Sequence, residues 1–381
     1  MKSKKIFFVT TIPLAVSSFL LPHVKILSRS YEVRILVNPE GSGGSRLKIS
    51  SDFVKSVPIE RRINLIQDIK VLFVLYRYFV REKPAAVHSM LPKAGLLAML
   101  ASFLAFVPVR VHTFTGQVWA TKAGPFRAFL RLVDRLIAAM ATDVFVDSHS
   151  QRRFLIENKV LTERGSRVLG AGSICGVDPD KFHPSSIVRQ SLRFAQHTRE
   201  ESIVFLYLGR VTREKGVFEL IEAFTLLAVK SSQTVELWLV GPEEGLELAS
   251  VLKSAPQTIV EKVKVFGYSE TPQIFMQSAD VLCLPSYREG FGTVVIEAAA
   301  CGIPAIASNI YGLTDSVVDG VTGWLVPPKN ARKLYECMRN ICESPDDILT
   351  RGQAARNNSL KNFRQSTITA KLLEFYESVL W

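Results

Sequence analysis

Short runs of β-branched and aromatic residues alternate along this chain with longer stretches in which apolar positions recur every three or four residues. In the first half the short runs are Ile6–Thr10, Glu32–Val37, Ala86–His88, Val109–Phe114, Val144–Asp147 and Arg167–Leu169. In the second half they are Ile203–Gly209, Val235–Val240, Val263–Phe266, Val281–Pro285 and Ala305–Ser308. Helical periodicity fills the gaps, as in Asp68–Glu82, Phe126–Ala141, Val217–Lys230 and Thr271–Gln277. Such alternation predicts an α/β protein whose parallel strands are covered by helices on both faces. Eleven strands and 381 residues exceed a typical single doubly wound sheet and predict two domains. The polar stretch from Pro184 to Glu201 has no strand pattern. The junction is expected there, with an N-terminal domain over 1–190, a C-terminal domain over 191–365 and a closing helix over 366–381 that packs back on the first domain. Ligands in open α/β sheets bind beyond the carboxyl ends of the strands. Two facing sheets would therefore form a cleft, and functional residues should follow strands directly.

Two segments imitate membrane signals. Lys2, Lys4 and Lys5 precede an apolar run from Ile6 to Leu21, as in a signal peptide. Pro13 and the Ser17-Ser18 pair interrupt that run, and no small-x-small cleavage site follows. A strand, a loop and a helix from about Ser17 are expected instead. Ala94–Val109 is mostly apolar but shorter than the roughly 20 residues of a span. It reads as a buried or interfacial helix.

Charge changes this picture. Residues 1–190 carry a net +15 and residues 191–381 a net −3. A basic half predicts an anionic partner: membrane lipid, phosphorylated substrate or nucleic acid. Nucleic acid is disfavoured, because no recognition module or zinc-finger spacing is present. Cys175, Cys283, Cys301, Cys337 and Cys342 form no CxxC pair and no Cys/His cluster, which fits a reducing compartment and no disulfide framework.

The candidate chemistry lies where the pattern places it. Pro285-Ser286-Tyr287-Arg288-Glu289-Gly290-Phe291-Gly292-Thr293 follows a strand and opens a helix near Thr293. Free N–H groups and the dipole at a helix start favour a phosphate. Gly290 and Gly292 let the backbone approach a ligand closely. Glu289 can accept hydrogen bonds from sugar hydroxyls, and Glu297, inside the helix, from a ribose diol. In Gly209-Arg210-Val211-Thr212-Arg213-Glu214-Lys215-Gly216, Arg210 and Lys215 can both reach one pyrophosphate and stabilise its charge as it departs.

These residues resemble a known family. Glu289-x7-Glu297, the Gly209-Arg210-x4-Lys215-Gly216 loop and the Ala298…Gly302-x-Pro304 segment are similar to family-4 glycosyltransferases of GT-B fold, built from two Rossmann-like domains facing across a cleft. Val9-Thr10-Thr11-Ile12-Pro13, Lys83-Pro84…His88…Pro92-Lys93-Ala94-Gly95, His112-Thr113-Phe114-Thr115-Gly116 and Gly172-Ser173-x2-Gly176-Val177-Asp178 extend the likeness to bacterial surface-polysaccharide members.

The resemblance implies a retaining enzyme moving a sugar from a nucleotide-diphosphate sugar, with UDP favoured, to a polyprenyl-diphosphate-linked acceptor in capsule or O-antigen synthesis. It places Arg210 and Lys215 on the diphosphate, Glu289 on the donor sugar and the Phe291-Gly292 amides on the phosphate beside Thr293. Glu297 would hold the ribose, Gly267-Tyr268 would lie against the base, and His112 would face the reacting sugar. Two departures stand out: Cys175 occupies a position often filled by Asn, and Thr11–Ser18 lacks the double glycine common in the wider family.

No carboxylate in the N-terminal motifs is placed as a nucleophile, so front-face attack is favoured, with the leaving diphosphate accepting the acceptor's proton. No cofactor or metal is expected, although Asp178-Pro179-Asp180 matches a D-x-D pattern. The basic half would hold the enzyme peripherally on the inner face of the plasma membrane, with Val71–Val80, flanked by Arg61-Arg62, and Leu96–Val107 adding apolar contact. A non-catalytic nucleotide-sugar-binding subunit is the alternative reading.

Overall fold

The computed structural model describes residues 4–39, 51–60, 63–245, 248–252 and 256–380. Arg61 and Arg62 lie outside these. Two compact units emerge: Met1–Cys175 with Gln365–Trp381, and Gly176–Arg364.

Among the described residues the first unit holds strands β1 (Lys5–Val9), β2 (Glu32–Val37), β3 (Val54–Ser56), β4 (Ala86–Met90), β5 (Val109–Phe114), β6 (Asp143–Val146) and β7 (Arg167–Val168). They pair in parallel in the order 3-2-1-4-5-6-7. The second unit holds β8 (Ile203–Leu208), β9 (Val235–Val240), β10 (Val263–Val265), β11 (Val281–Leu284), β12 (Ala305–Ser308) and β13 (Gly323–Val326), ordered 10-9-8-11-12-13 and also parallel. Both sheets reverse direction beside their first strand, between β1 and β4 and between β8 and β11. Those reversals are the switch points at which such sheets bind ligands.

The residue pattern explains the layers. In β1, Phe7 and Val9 join one core and Ile6 and Phe8 another, all four fully buried. An alternating backbone sends them to opposite faces, and only a sheet covered on both sides needs both sets apolar. Helices Leu65–Glu82, Pro92–Leu104 and Gly124–Met140 supply the first cover, and helices Leu21–Leu27 and Gln365–Val379 the second.

Several elements differ from the sequence expectations. Helical structure begins at Pro13 rather than near Ser17 and passes through a π-helical turn, Val16–Leu20, just before Pro22. Proline cannot donate to a regular ladder, which suits a widened turn there. Two edge strands, β3 and β13, were not anticipated. β3 is exposed and polar at Lys55 and Ser56, and β13 opens on Gly323, where a Cβ would sit 2.2 Å from the Ala305 carbonyl oxygen.

The unit boundary falls at Cys175/Gly176 instead of 190/191. Helix Ser186–Ala195, inside the polar stretch, belongs to the second unit because Arg189 and Arg193 each reach Asp280 at 2.5 Å. Arg193 also donates to the Ser278 and Ser202 carbonyls, so its buried charge is fully engaged. The closing helix Gln365–Val379 is held in the first unit by two buried histidines. His88 Nδ1 lies 2.8 Å from the Tyr376 hydroxyl and its Nε2 2.7 Å from Thr113 Oγ1. His23 Nε2 donates to the Ile174 carbonyl at 2.6 Å, which leaves Nδ1 to accept from Thr369 Oγ1 at 3.0 Å.

Burial holds His23 down at about 4 and His88 and His112 at about 3, so all three are neutral in the folded state. An unfolded histidine takes its proton near 6.5. These groups therefore stabilise the first unit fully above that pH and lose the contribution as pH falls toward 4, at about 1.4 kcal/mol per pH unit each. Burial raises Asp134 in the first unit and Glu297 in the second to about 7. Their contribution runs the other way, full below about 4 and lost as pH rises through 7. Three histidines outweigh one carboxyl in the first unit. Peptide-resolved hydrogen exchange should show that unit losing protection relative to the second between pH 6.5 and 4.5, and equal losses in the two units would contradict this.

Candidate active site

The loops leaving β8 and β11 meet at the switch point of the second unit. The first runs from Gly209 to Gly216 and opens helix Val217–Lys230; the second runs from Pro285 to Gly292 and opens helix Thr293–Ala300. The Tyr287 amide donates to the Glu214 carbonyl at 2.9 Å and ties the loops together. They approach closely because glycines stand at the contacts. Gly216, in the left-handed region at φ +72°, would put a Cβ 2.0 Å from the Pro285 carbonyl oxygen. A Cβ on Gly241, at the end of β9, would sit 1.9 Å from the Gly209 carbonyl oxygen, and one on Gly312 2.6 Å from that of Gly290. No bulkier residue fits these positions without moving backbone.

Lys215 and Glu289 come together across the two loops, Nζ to Oε1 at 2.5 Å, and Ser286 Oγ donates to the same oxygen at 2.8 Å. Both side chains are mostly shielded from solvent. Arg210 reaches Glu244 at 2.6 Å, and its carbonyl accepts from the buried Tyr207 hydroxyl at 2.5 Å. Arg288 donates twice to Glu214 Oε2, at 2.9 and 3.1 Å, and the Tyr287 hydroxyl donates to Glu219 at 2.6 Å. Lys215, Arg210 and Arg288 are thus each held at the loops by a carboxylate, the partner that an arriving anion would replace.

Both helices that open here start on a left-handed glycine, Gly216 or Gly292, and neither start is capped by a side chain. Asn64, Ser148, Ser185 and Asn330 do cap helices elsewhere. The start at Gly292-Thr293 therefore keeps N–H groups and dipole for an anion, one turn from Glu289. Phe291 is buried against Phe363, at 5.2 Å between ring centroids, which anchors this turn while its amide stays in the loop. Glu297 lies one turn further along. It keeps part of its surface in solvent, but the protein packed around its carboxyl raises it to about 7 despite Lys181. Gly267 and half-exposed Tyr268 follow β10, and the Gly267 carbonyl accepts from the Gly241 amide at 2.7 Å.

His112 lies in the first unit. Its ring is buried, within 2.8 Å of Ser89 Oγ through Nδ1, and packs so closely over Gly95 that a Cβ there would sit 2.5 Å from Cε1. It lines a small recess with Pro92, Thr115, Gln117 and Asp134. Ser286, Glu244, Gly241 and Gly312 were not singled out from sequence. Ser286 stood inside a quoted motif, whereas the other three become visible only once the loops are brought together.

Two family models match the chain: "Glycosyl transferase 4-like domain" over residues 24–169 and "Glycosyl transferases group 1" over residues 188–358. The chain belongs to the family-4 glycosyltransferases. Over its whole length the enzyme is 29% identical to the capsular polysaccharide biosynthesis glycosyltransferase CapM of Staphylococcus aureus, covering 98% of that relative. It is 27% identical to the Escherichia coli UDP-Gal:alpha-D-GlcNAc-diphosphoundecaprenol alpha-1,3-galactosyltransferase, over 83% of this chain and 81% of that one. Anabaena Alr3699/HepE, solved in complex with UDP-glucose, is 20% identical with a TM-score of 0.77, over 98% of this chain and 99% of that one, and shares the fold. The two parallel-sheet α/β units are thus those of a GT-B glycosyltransferase.

Lys215→Ala and Glu289→Ala should each remove most turnover while the protein stays folded at assay temperature, with a lower thermal midpoint because each leaves a shielded partner unpaired. Wild-type rates in either variant would dissociate the pair from catalysis. Gly216→Ala should lower stability and activity together, since its Cβ would push the Pro285 loop aside.

Proposed function

We propose that this glycosyltransferase moves a sugar, with retention of configuration, from a UDP-sugar to a saccharide carried on polyprenyl diphosphate during synthesis of a bacterial capsule or O-antigen. The observation that carries the donor site is the Lys215–Glu289 pair beside the uncapped helix start at Gly292-Thr293. The full-length likeness to CapM supports the pathway, and the names of the galactosyltransferase and of the HepE complex support a UDP donor. The galactosyltransferase name also supports a diphosphate-lipid acceptor.

In this reading Lys215 and Arg210 move from their carboxylates onto the diphosphate. The Phe291 and Gly292 amides and Thr293 complete its cradle, and Glu289, released from Lys215, accepts hydrogen bonds from the donor sugar. Glu297 holds the ribose diol and the Gly267-Tyr268 loop borders the base. As the bond between anomeric carbon and phosphate oxygen lengthens, charge accumulates on the leaving diphosphate, where the two cations and the helix start stabilise it. The acceptor hydroxyl attacks the same face of the oxocarbenium-like sugar and gives its proton to the departing phosphate oxygen. His112 orients the sugar or contributes its backbone carbonyl to the positive charge. Because Arg210 and Lys215 already supply the counter-charge, the reaction is proposed to proceed without a metal. The enzyme works peripherally on the inner face of the plasma membrane. No helix among the described residues is long and apolar enough to cross a membrane.

Four measurements test this. UDP should raise the thermal midpoint of the protein more than GDP, as binding to the folded state requires, and a larger shift with GDP would reassign the donor. Product NMR should show the donor's anomeric configuration, and activity should survive excess EDTA; inversion, or a loss restored by manganese, would overturn the mechanism. The donor KM should rise as pH falls below 7, where Glu297 takes up a proton and loses an acceptor, and Glu297→Gln should flatten that dependence.

A further inference from the structure

The three helices that cover one face of the first sheet turn an apolar layer outward. On Leu65–Glu82 the buried residues Val71, Leu75 and Phe79 face the sheet, whereas Ile66, Ile69 and Phe73 form a second apolar stripe on the opposite side, each more than half exposed. On Gly124–Met140 the outward positions Phe126, Phe129, Leu132 and Leu136 repeat at helical spacing and are about half exposed. The helix between them, Pro92–Leu104, ends on exposed Phe103 and Leu104, and Phe106 beyond it is 89% exposed. The middle helix packs against both others, so these positions form one surface. In the second unit Ile187 and Phe194 form an exposed apolar pair on helix Ser186–Ala195, and Val229 and Leu349 stand on separate helices.

The charge on this surface has one sign. Lys70, Arg77 and Arg81 border the first stripe, and Arg127, Arg131 and Arg135 recur every four residues beside the second. Among the described residues of the three helices, every carboxylate is engaged. Asp68 pairs with Lys93 at 2.6 Å, Glu82 with Lys5 at 2.8 Å and Arg81 at 3.0 Å, and buried Asp134 accepts from Trp119 Nε1 at 2.7 Å. Arg135 donates to the main-chain carbonyls of Lys159 and Asn158, neutral partners that leave its charge in place.

An outward apolar layer with a cationic fringe and no free acid fits the interfacial zone of an anionic bilayer. A second copy docked through the same face would oppose cation to cation. We propose that the outer face of helices Leu65–Glu82, Pro92–Leu104 and Gly124–Met140 is the membrane-docking surface, with its phenylalanines inserted among anionic lipid headgroups. This rests on the proposed membrane-bound acceptor and names the face that meets the bilayer. Within Val71–Val80 it excludes the buried Val71, Leu75 and Phe79 and keeps Phe73, extends the stripe back to Ile69 and Ile66 on the same helix, and adds Gly124–Met140.

Sedimentation with vesicles tests it directly, using the full chain. Wild type should bind phosphatidylglycerol-containing vesicles, bind phosphatidylcholine vesicles far less, and be released by salt. The double variant Phe126→Glu/Phe129→Glu should lower the partition coefficient on the order of tenfold or more, and Lys70→Glu/Arg131→Glu should weaken binding at low salt. Val229→Glu/Leu349→Glu should bind as wild type. With a short water-soluble acceptor analogue, all variants should keep wild-type turnover, whereas turnover of a vesicle-borne acceptor should fall in the first two. Undiminished vesicle binding by Phe126→Glu/Phe129→Glu, or conversion of a dimer to a monomer by that variant, would overturn the proposal. Absence of any transfer by wild type to the soluble acceptor would instead overturn the transferase reading and leave the vesicle result standing.

Discussion

The candidate site depends on backbone meeting backbone without a side chain between. Gly216 lies against the Pro285 carbonyl, Gly241 against that of Gly209 and Gly312 against that of Gly290. The first contact closes the gap that a parallel sheet opens where its strand order reverses, between β8 and β11, and the other two brace the β8 and β11 loops from beyond the ends of β9 and β12. Together they hold two uncapped helix starts and set Lys215 on one loop opposite Glu289 on the other. A methyl group at Gly216 would separate the two loops, and one at Gly241 or Gly312 would displace the loop it braces.

Electrostatics then sets the resting state. Three cations at the loops lean on carboxylates, Lys215 on Glu289, Arg210 on Glu244 and Arg288 on Glu214, while Arg213 lies over the Phe218 ring. A diphosphate arriving there exchanges one anionic partner for another, so the lysine never has to be stripped of all its counter-charge. In the proposed mechanism that exchange would free Glu289 as a sugar needs an acceptor for its hydroxyls, and Glu297, lifted to about 7 by its surroundings, would make the proposed ribose contact the pH-sensitive part of the arrangement.

Central strands were legible in the sequence because both faces of a parallel sheet are buried, and an unbroken apolar run such as Val281–Leu284 has few other uses. The two loops of the candidate site were legible because the glycines, cations and carboxylates of each are adjacent along the chain. Of the four edge strands, β7 and β10 were legible, whereas β3 and β13 were not, because Val54–Ser56 needs no apolar face and Gly323 erases the local signal of β13. The unit boundary was misplaced because the polar helix Ser186–Ala195 is fastened by arginines to Asp280, a partner about ninety residues away that periodicity cannot show. The pairing of His88 with Tyr376 and the closeness of Gly312 to Gly290 are likewise matters of three dimensions. The outward phenylalanines of Gly124–Met140 were visible as apolar positions, but only the packing reveals which ones face away from the core.

The closing helix has a consequence for how the protein is made. Residues 176–364 are contiguous, so the second unit can complete its core as soon as it clears the ribosome. The first unit cannot, because Tyr376 follows its partner His88 by 288 residues. Until then the sheet face built from Ile6, Phe8 and Ile35 lacks Ile368, Leu372 and Phe375 as cover. The nascent chain must hold an unfinished apolar sheet through the whole synthesis of the other unit, which makes the interval before Gln365–Val379 emerges the point at which chaperone capture or premature aggregation competes with folding.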